Sequence, residues 1–317
     1  MAQTADSPRE GRPVSSTVAT GRIAWCAFSD ATTHSLGELG AAFQQLDGAA
    51  GTESTTGLLL RTCHRVEWYE AAPTANAPIA FWLGRRITGH EAAASRLTHI
   101  ATDVMSLILG EQFVFQQVRA AFNRLPAGHP LRPVGAKVLL LASQARRQFG
   151  LHARLDYRDL TRTLLDAPSV RPRNLLVVGG GMLAQSVAQE LGDDRRVFLL
   201  TRNPKNLRRL LRAGSDRATV LRITDLSDTV RDGGFDLVLA TSGITPQYRE
   251  HIARLVDAAA RRLVVDLCAA PVLHERSNYQ HLHHPAVTDI IEDANRPAIE
   301  AARAASSWIE SHYGGRS

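Results

Sequence analysis

The feature that most limits what this chain can become is an alternation in its C-terminal half. Residues 174–178 (NLLVV), 196–200 (RVFLL), 235–239 (FDLVL) and 262–266 (RLVVD) are short apolar runs of strand length. Residues 182–191 and 204–212, lying between them, carry apolar side chains at helical spacing. Strands separated by helix-length segments join in parallel through right-handed crossovers, so this half is expected to form a doubly wound, Rossmann-type parallel sheet. Directly after the first run stands Gly179-Gly180-Gly181-Met182-Leu183-Ala184, a G-x-G-x-x-A turn that opens the next helix. In such a turn the first glycine permits a tight reversal and the second lets the backbone approach a pyrophosphate. A small third residue lets helix and strand pack closely, and the helix N-terminus attracts the anion.

The residues just past the second strand discriminate between dinucleotides. An Asp or Glu there would accept from the ribose 2′-OH of NAD, whereas this chain has Thr201-Arg202-Asn203, with Lys205 close behind. A guanidinium and small hydrogen-bonding groups suit a 2′-phosphate, so NADPH is the expected cofactor. The other reading makes Arg202 a solvated loop residue in an Arg-rich chain. The expected cofactor-binding set is Gly179, Gly180, Gly181, Met182, Leu183, Ala184, Thr201, Arg202, Asn203 and, just past the run 235–239, Thr241.

At 317 residues, 44% of them apolar and 21% charged, the chain has room for two domains with buried cores. That composition excludes wholesale disorder, a fibrous repeat and a disulfide-stapled miniprotein. No run approaches the roughly 18 to 20 apolar residues that cross a bilayer, so no membrane partner is expected. The N-terminal segment has no apolar leader, and Cys26, Cys63 and Cys268 cannot make a disulfide framework, so a reducing cytoplasm is the simplest compartment. The net charge of +6 is a modest excess, which reads either as a footprint for a polyanion or as an Arg-favouring composition.

Residues 1–20, rich in Ser, Thr, Pro and Gly, are expected to be a disordered tail. Residues 22–28 read as a strand, 36–46 as a helix, and 58–69 as a strand-like segment with a polar middle. From 79 to 122 the period is near 3.6, with Leu97, Ile100, Val104, Leu107 and Ile108 on one stripe and Val114, Val118 and Phe122 on the next, so helices are expected. After the Pro-rich LPAGHPLRP come 138–149 and a basic amphipathic stretch through Leu165. A break is expected at the proline-punctuated DAPSVRPR, 166–173. The His-rich YQHLHHP holds His281, His283 and His284 but lacks a carboxylate or cysteine set, so it is expected to be a surface loop and no metal is expected.

The chemistry candidate lies in the polar middle of 58–69. Cys63 is flanked by two arginines and a histidine, and positive neighbours favour the nucleophilic thiolate. Cys26 and Cys268 sit in apolar strand contexts and are expected to be core residues. The local sequence alone leaves Cys63 open as a nucleophile or a structural thiol. A cysteine joined to a hydride donor runs acyl reduction, in which the thiolate takes an acyl group as a thioester and hydride reduces it to an aldehyde.

Five segments carry a resemblance. Arg61-Thr62-Cys63-His64-Arg65-Val66-Glu67-Trp68-Tyr69 is similar to the S-T-C-N-R-x-E-x-Y signature of the glutamyl-tRNA reductase family. Ser106-Leu107-Ile108-Leu109-Gly110-Glu111 with Gln117 resembles its S-x-x-L-G-E segment, and residues 179–183 and 201–204 resemble its G-A-G-E-M loop and N-R-T turn. Asp266 to Pro271 resembles its D-[IL]-x-x-P strand, with one more residue before the proline. The similarity runs from about residue 21 to 310 in the right order.

This resemblance implies an N-terminal α+β catalytic domain over 21–155, a Rossmann NADPH-binding domain over 156–285, and a truncated spinal helix over 286–317, the family's dimerisation domain and usual dimer not being expected. It implies reduction of glutamyl-tRNA to glutamate-1-semialdehyde through a Cys63 thioester, on the 5-aminolevulinate route to tetrapyrroles and porphyrins, with a downstream aminomutase as a candidate partner. The implied substrate-binding residues are Thr62, Arg65, Arg96, Ser106, Glu111 and Gln117, with Arg65 holding the side-chain carboxylate, and His99 joins Cys63 as a catalytic residue. Without the family match, Ser106 reads equally as a helix cap, Gln117 and Glu111 as solvated helix residues, and Arg65 as a partner of Glu67.

The chain also departs from the pattern. His64 stands for Asn, Arg96 for a histidine and His99 for an arginine, while G-L-D-S reads Asp103-Val104-Met105-Ser106 and N-H-K-T reads Ser29-Asp30-Ala31-Thr32. The alternatives this raises are reduction of another aminoacyl-tRNA or carrier-bound thioester, and a non-catalytic tRNA- or partner-binding paralogue. Arg296 and Arg303 lie on a helix that either bridges domains or is a plain surface helix.

Overall fold

The computed structural model describes residues 21–30, 57–62, 65–71, 85–167, 174–193, 195–201, 204–205, 207, 218–222, 235–240, 246–268, 271–274 and 276–314. The expected tail 1–20, the helix 36–46 and most of the helix 204–212 lie outside the described residues, as do Cys63, His64, Arg202, Asn203 and Thr241.

Aromatic and branched side chains make the first four strands. These are β1 (Trp25–Asp30), β2 (Gly57–Arg61), β3 (Arg65–Glu70) and β4 (Arg85–Thr88), antiparallel in the order β2-β3-β1-β4. The strand-like entry and exit of 58–69 are the two arms of a hairpin, and Thr62 N–H donates to the Arg65 carbonyl at 3.0 Å where they meet. β3 is buried along its whole length, so its arginine and two glutamates must find partners inside the protein.

Three helices cover this sheet: α1 (His90–Thr102), α2 (Phe113–Arg124) and α3 (Arg132–Gln148). Their apolar stripes, among them Leu97, Ile100, Val118, Phe122, Val138 and Ala142, share one core with Ile23, Cys26, Leu58, Leu60 and Tyr69. α1 stops short of the expected stripe. Asp103 takes the left-handed conformation at φ 65°, its N–H donating to the Ile100 carbonyl at 3.0 Å, and Val104, Leu107 and Ile108 fall in an irregular loop. Ile108 serves the other core instead. β4 lies inside the stretch expected to be helical; its sequence RRIT is mostly exposed and has no apolar alternation to announce a strand.

The second unit begins with α4 (Tyr157–Asp166), whose N-cap Asp156 accepts from Arg158 N at 2.7 Å and Asp159 N at 2.9 Å. β5 (Asn174–Val178), α5 (Met182–Leu191), β6 (Arg196–Thr201), β7 (Ala218–Arg222), β8 (Phe235–Leu239), α6 (Pro246–Ala259), β9 (Ala260–Asp266) and β10 (Tyr279–His281) complete it. All six strands are parallel, in the order β10-β9-β8-β5-β6-β7. One face packs on α4 and α5, the other on α6. The fold is the expected α/β architecture with a Rossmann-like parallel sheet of six strands.

The His-rich segment is not the surface loop its composition suggests. Tyr279 and His281 are buried in β10, which extends the sheet beside β9, and the Tyr279 hydroxyl donates to buried Asp266. Among the described residues no group of three or more His, Cys, Asp or Glu stands close enough to hold a metal, and no helix is long and apolar enough to cross a membrane.

The expected single C-terminal helix is instead α7 (Pro285–Asn295), a 3₁₀ turn at Arg296–Ala298 containing Pro297, and α8 (Ile299–Tyr313). Val287 and Ile291 of α7 join the core of the parallel sheet, and Ala302, Ala305, Ile309 and Tyr313 of α8 join that of the N-terminal unit. Arg296 and Arg303 are exposed and pair with Asp293 and Glu300 on the same helical surface.

Candidate functional site

β3 brings three ionisable groups inward. The Glu67 carboxylate is gripped by Arg96 from α1, with Nη2 2.7 Å from Oε1 and Nε 3.1 Å from Oε2, and it also accepts from the Tyr69 hydroxyl at 2.5 Å. The Arg96 guanidinium lies 3.4 Å from the centroid of Phe28. These contacts pin Glu67 in the core and hold Arg96 as a structural cation. The Cys26 thiol beside them is pushed up to about 12 by burial and then by Glu67, which keeps it a protonated core residue.

Arg65 is treated differently. Its side chain is 2% exposed, Nη2 donates to the Met105 carbonyl, and Nε and Nη1 are buried with no hydrogen-bond partner among the described residues. A pairing with Glu67 does not form, because Arg96 and Tyr69 occupy that carboxylate. A buried guanidinium with two idle donors is costly unless something negative or polar meets it. Gln117 on α2 has a parallel condition, with a buried Oε1 that has no partner among the described residues.

The remaining expected site residues are distributed around these two. Thr62 is buried immediately before Cys63. His99, half-buried on α1, has Nδ1 2.8 Å from the Ser95 carbonyl; a carbonyl only accepts, so Nδ1 is the donor in this contact and Nε2 is the ring nitrogen left for other partners. The Ser106 hydroxyl donates to Asp103 at 3.1 Å. Glu111 holds the start of α2, with its oxygens 2.6 Å from Phe113 N and 3.1 Å from Val114 N, so its carboxylate has a structural duty. Burial outweighs those amides and raises its pKa to about 7.

The glycine turn shows why side chains are excluded there. Gly179 has φ 145°, and a Cβ on it would fall 2.2 Å from the Ala240 carbonyl oxygen. A Cβ on Gly180 would fall 2.7 Å from Thr201 Oγ1, while one on Gly181, the N-cap of α5, would meet nothing. Ala184 is fully buried between helix and strand. The open side at Gly181 with the α5 N-terminus behind it fits a dinucleotide pyrophosphate. A cleft of about 390 Å³ lies between this helix and the N-terminal unit, lined by Met182 and Ser186 on one side and by Glu111, Phe113, Gln116 and His152 on the other.

Two residues that order this region, Arg146 and Asn295, have no signature in their local sequence. Arg146 on α3 donates to the Asp103 carboxylate and to the carbonyls of Gly110 at 2.8 Å and Glu111 at 3.0 Å. Asn295 reaches Leu107 and Leu109. Their partners are 35 or more positions away in the chain, so no local spacing could disclose them.

A six-stranded parallel sheet with a glycine turn leading into its first helix is a Rossmann-like nucleotide-binding architecture, consistent with an NAD(P) cofactor. The chain is 27% identical over 256 residues to Protein nfe2 of Rhizobium meliloti, a match covering 75% of this chain and 81% of that one. It is 26% identical over 239 residues to glutamyl-tRNA reductase of Chloroherpeton thalassium, covering 66% of this chain and 54% of that protein. Against glutamyl-tRNA reductase of Natronomonas pharaonis it is 27% identical over 201 residues, covering 58% and 44%. The chain thus matches about half the length of these two reductases, a distant similarity of an oxidoreductase-like kind. No protein-family model matches it. Among solved structures, glutamyl-tRNA reductase from Methanopyrus kandleri aligns with TM-score 0.42 and 18% identity over 92% of this chain and 79% of that one. The nucleotide-binding domain of glutamyl-tRNA reductase from Thermoplasma volcanium aligns with TM-score 0.32 and 16% identity over 46% and 98%.

Proposed function

We propose that this protein reduces the aminoacyl ester of glutamyl-tRNA to glutamate-1-semialdehyde with NADPH, by way of a thioester on Cys63. The observation that carries this reading is Arg65: a buried guanidinium two residues after the cysteine, with Nε and Nη1 unpartnered among the described residues, suits the side-chain carboxylate of a glutamyl group. Gln117, with its idle buried oxygen, suits the substrate's ammonium hydrogens.

The Cys63 thiolate attacks the ester carbonyl, a C–S bond forms, the C–O bond to the terminal ribose breaks, and the departing tRNA hydroxyl takes up a proton. His99 Nε2 is the candidate to move that proton. The glycine turn would hold NADPH, which when bound would supply the hydride equivalent that takes the Cys63 thioester to the aldehyde. The C–S bond then breaks and Cys63 is regenerated. Residues 179–184 would hold the pyrophosphate, and Arg202 and Asn203 are the residues we assign to the 2′-phosphate. An aldehyde as reactive as this product suits prompt transfer to an aminomutase, the class of partner we propose.

A second reading keeps the chemistry and changes the amino acid. It is favoured by Arg96, which stands where the resemblance expects a histidine and is committed to Glu67. One experiment addresses both readings: mass spectrometry after incubation with a panel of aminoacyl-tRNAs without NADPH. An adduct of glutamyl mass on Cys63, absent in Cys63→Ser, is expected. An adduct of another amino acid selects the second reading, and no adduct with any charged tRNA overturns both.

A further inference from the structure

Residues 103–111 form an irregular loop between α1 and α2, and this loop positions what surrounds Arg65. It offers the Met105 carbonyl to Arg65 Nη2 and carries Ser106 one residue later. Its start is tied by Arg146 to Asp103, and its end by Arg146 to the Gly110 and Glu111 carbonyls and by Ala153 N to Gly110 O at 3.2 Å. The middle depends on one distant side chain. Asn295 Oδ1 accepts from Leu109 N at 2.9 Å, and Asn295 Nδ2 donates to Leu107 O at 2.7 Å.

An amide is suited to that place because it presents a donor and an acceptor side by side, as one rung of a sheet does. Asn295 is also the last residue of α7, which packs on the core of the parallel sheet, and the chain then turns through residues 296–298 into α8 on the N-terminal core. The loop beside Arg65 is therefore held from the helix that joins the two units.

We infer that Asn295 is a positioning residue: its side-chain amide fixes residues 107–109 and, through them, the Met105 carbonyl against which the Arg65 guanidinium is set. This rests on the proposal that Arg65 receives the substrate's carboxylate. Loss of the amide frees Leu107 O and Leu109 N together, the loop drifts, and Arg65 loses its aim while the cores on either side stay packed.

The test uses the full chain as wild type, Asn295→Ala and the near-isosteric Asn295→Asp, which keeps the acceptor and loses the donor. Labelling with phenylglyoxal is read at the Arg65 peptide by mass spectrometry, with buried Arg195 in the parallel-sheet unit as the reference for intact folding. Arg65 labelling is expected to rise about 10-fold in Asn295→Ala and by less in Asn295→Asp, relative to Arg195. With glutamyl-tRNA and NADPH, KM is expected to rise about 10-fold in Asn295→Ala, with kcat within about 3-fold of wild type. Equal Arg65 labelling in the three proteins overturns the positioning role, and so does raised labelling with unchanged KM. A wild type inert toward glutamyl-tRNA sinks the functional reading instead, and the labelling then judges Asn295 by itself.

Discussion

A carboxylate set against backbone amides at the start of a helix is pulled two ways, and Glu111 shows which pull is larger. The amides of Phe113 and Val114 and the Arg146 guanidinium favour its charged form, burial opposes it more strongly, and its pKa rises from 4.5 to about 7. The folded protein then holds a proton that the unfolded chain releases. The stability due to Glu111 is complete below about pH 4.5 and is lost as pH climbs to about 7, by an amount of order 3 kcal/mol. Urea denaturation across that range should show this fall in wild type and a flatter curve in Glu111→Gln, and matching slopes would refute the assignment. Glu67 marks the limit of sequence reading at this scale. Thr62, Cys63 and Arg65 fall in one contiguous motif, so the sequence can single them out as candidates. Glu67 and Arg96 stand 29 positions apart, so the ion pair that occupies both has no local signature, and Arg65 and Glu67 look like partners.

Among the elements, legibility tracks the strength of the local pattern. β5, α5, β6, β8 and most of β9 are readable because parallel strands buried on both faces are continuous apolar runs and the helix between the first two begins at the glycine turn. β10 is not, since a three-residue strand of Tyr, Gln and His is made by its place beside β9 rather than by propensity. Nor is the early end of α1, because Asp103 takes its left-handed turn with its side chain held by Arg146 from α3, 43 positions on. The β5–α5 turn gives a sharper prediction. Gly179→Ala must fit a Cβ 2.2 Å from the Ala240 carbonyl at a φ of 145°, which costs about 1 to 3 kcal/mol of strain. Titration of protein fluorescence with NADPH should give a Kd weakened about 10-fold or more relative to wild type. An unaltered Kd would place the dinucleotide elsewhere.

At the scale of the molecule the chain closes on itself. α8 returns from the parallel-sheet unit to complete the N-terminal core, where Ile309 and Ala305 are fully buried and the Tyr313 hydroxyl lies 2.8 Å from Thr98 Oγ1 across 215 positions. The N-terminal unit is therefore assembled from both ends of the described chain, and no stretch of sequence read alone discloses that. The four tryptophans, Trp25, Trp68, Trp82 and Trp308, all lie outside the parallel-sheet segment of the sequence, and Trp25, Trp68 and Trp308 sit in this unit, so tryptophan emission follows it, while NADPH held at the glycine turn as proposed would follow the other. Ile309→Ala removes buried apolar volume from a site that Tyr313 and Ala305 hold open, at a cost of about 2 to 4 kcal/mol. In guanidinium the tryptophan-monitored transition should move to lower denaturant while the NADPH-monitored one stays in place, because Ile309 touches a core that the parallel sheet does not share. If both transitions shift together, the two cores unfold as one cooperative unit, and the helix joining them couples their stabilities as well as their positions.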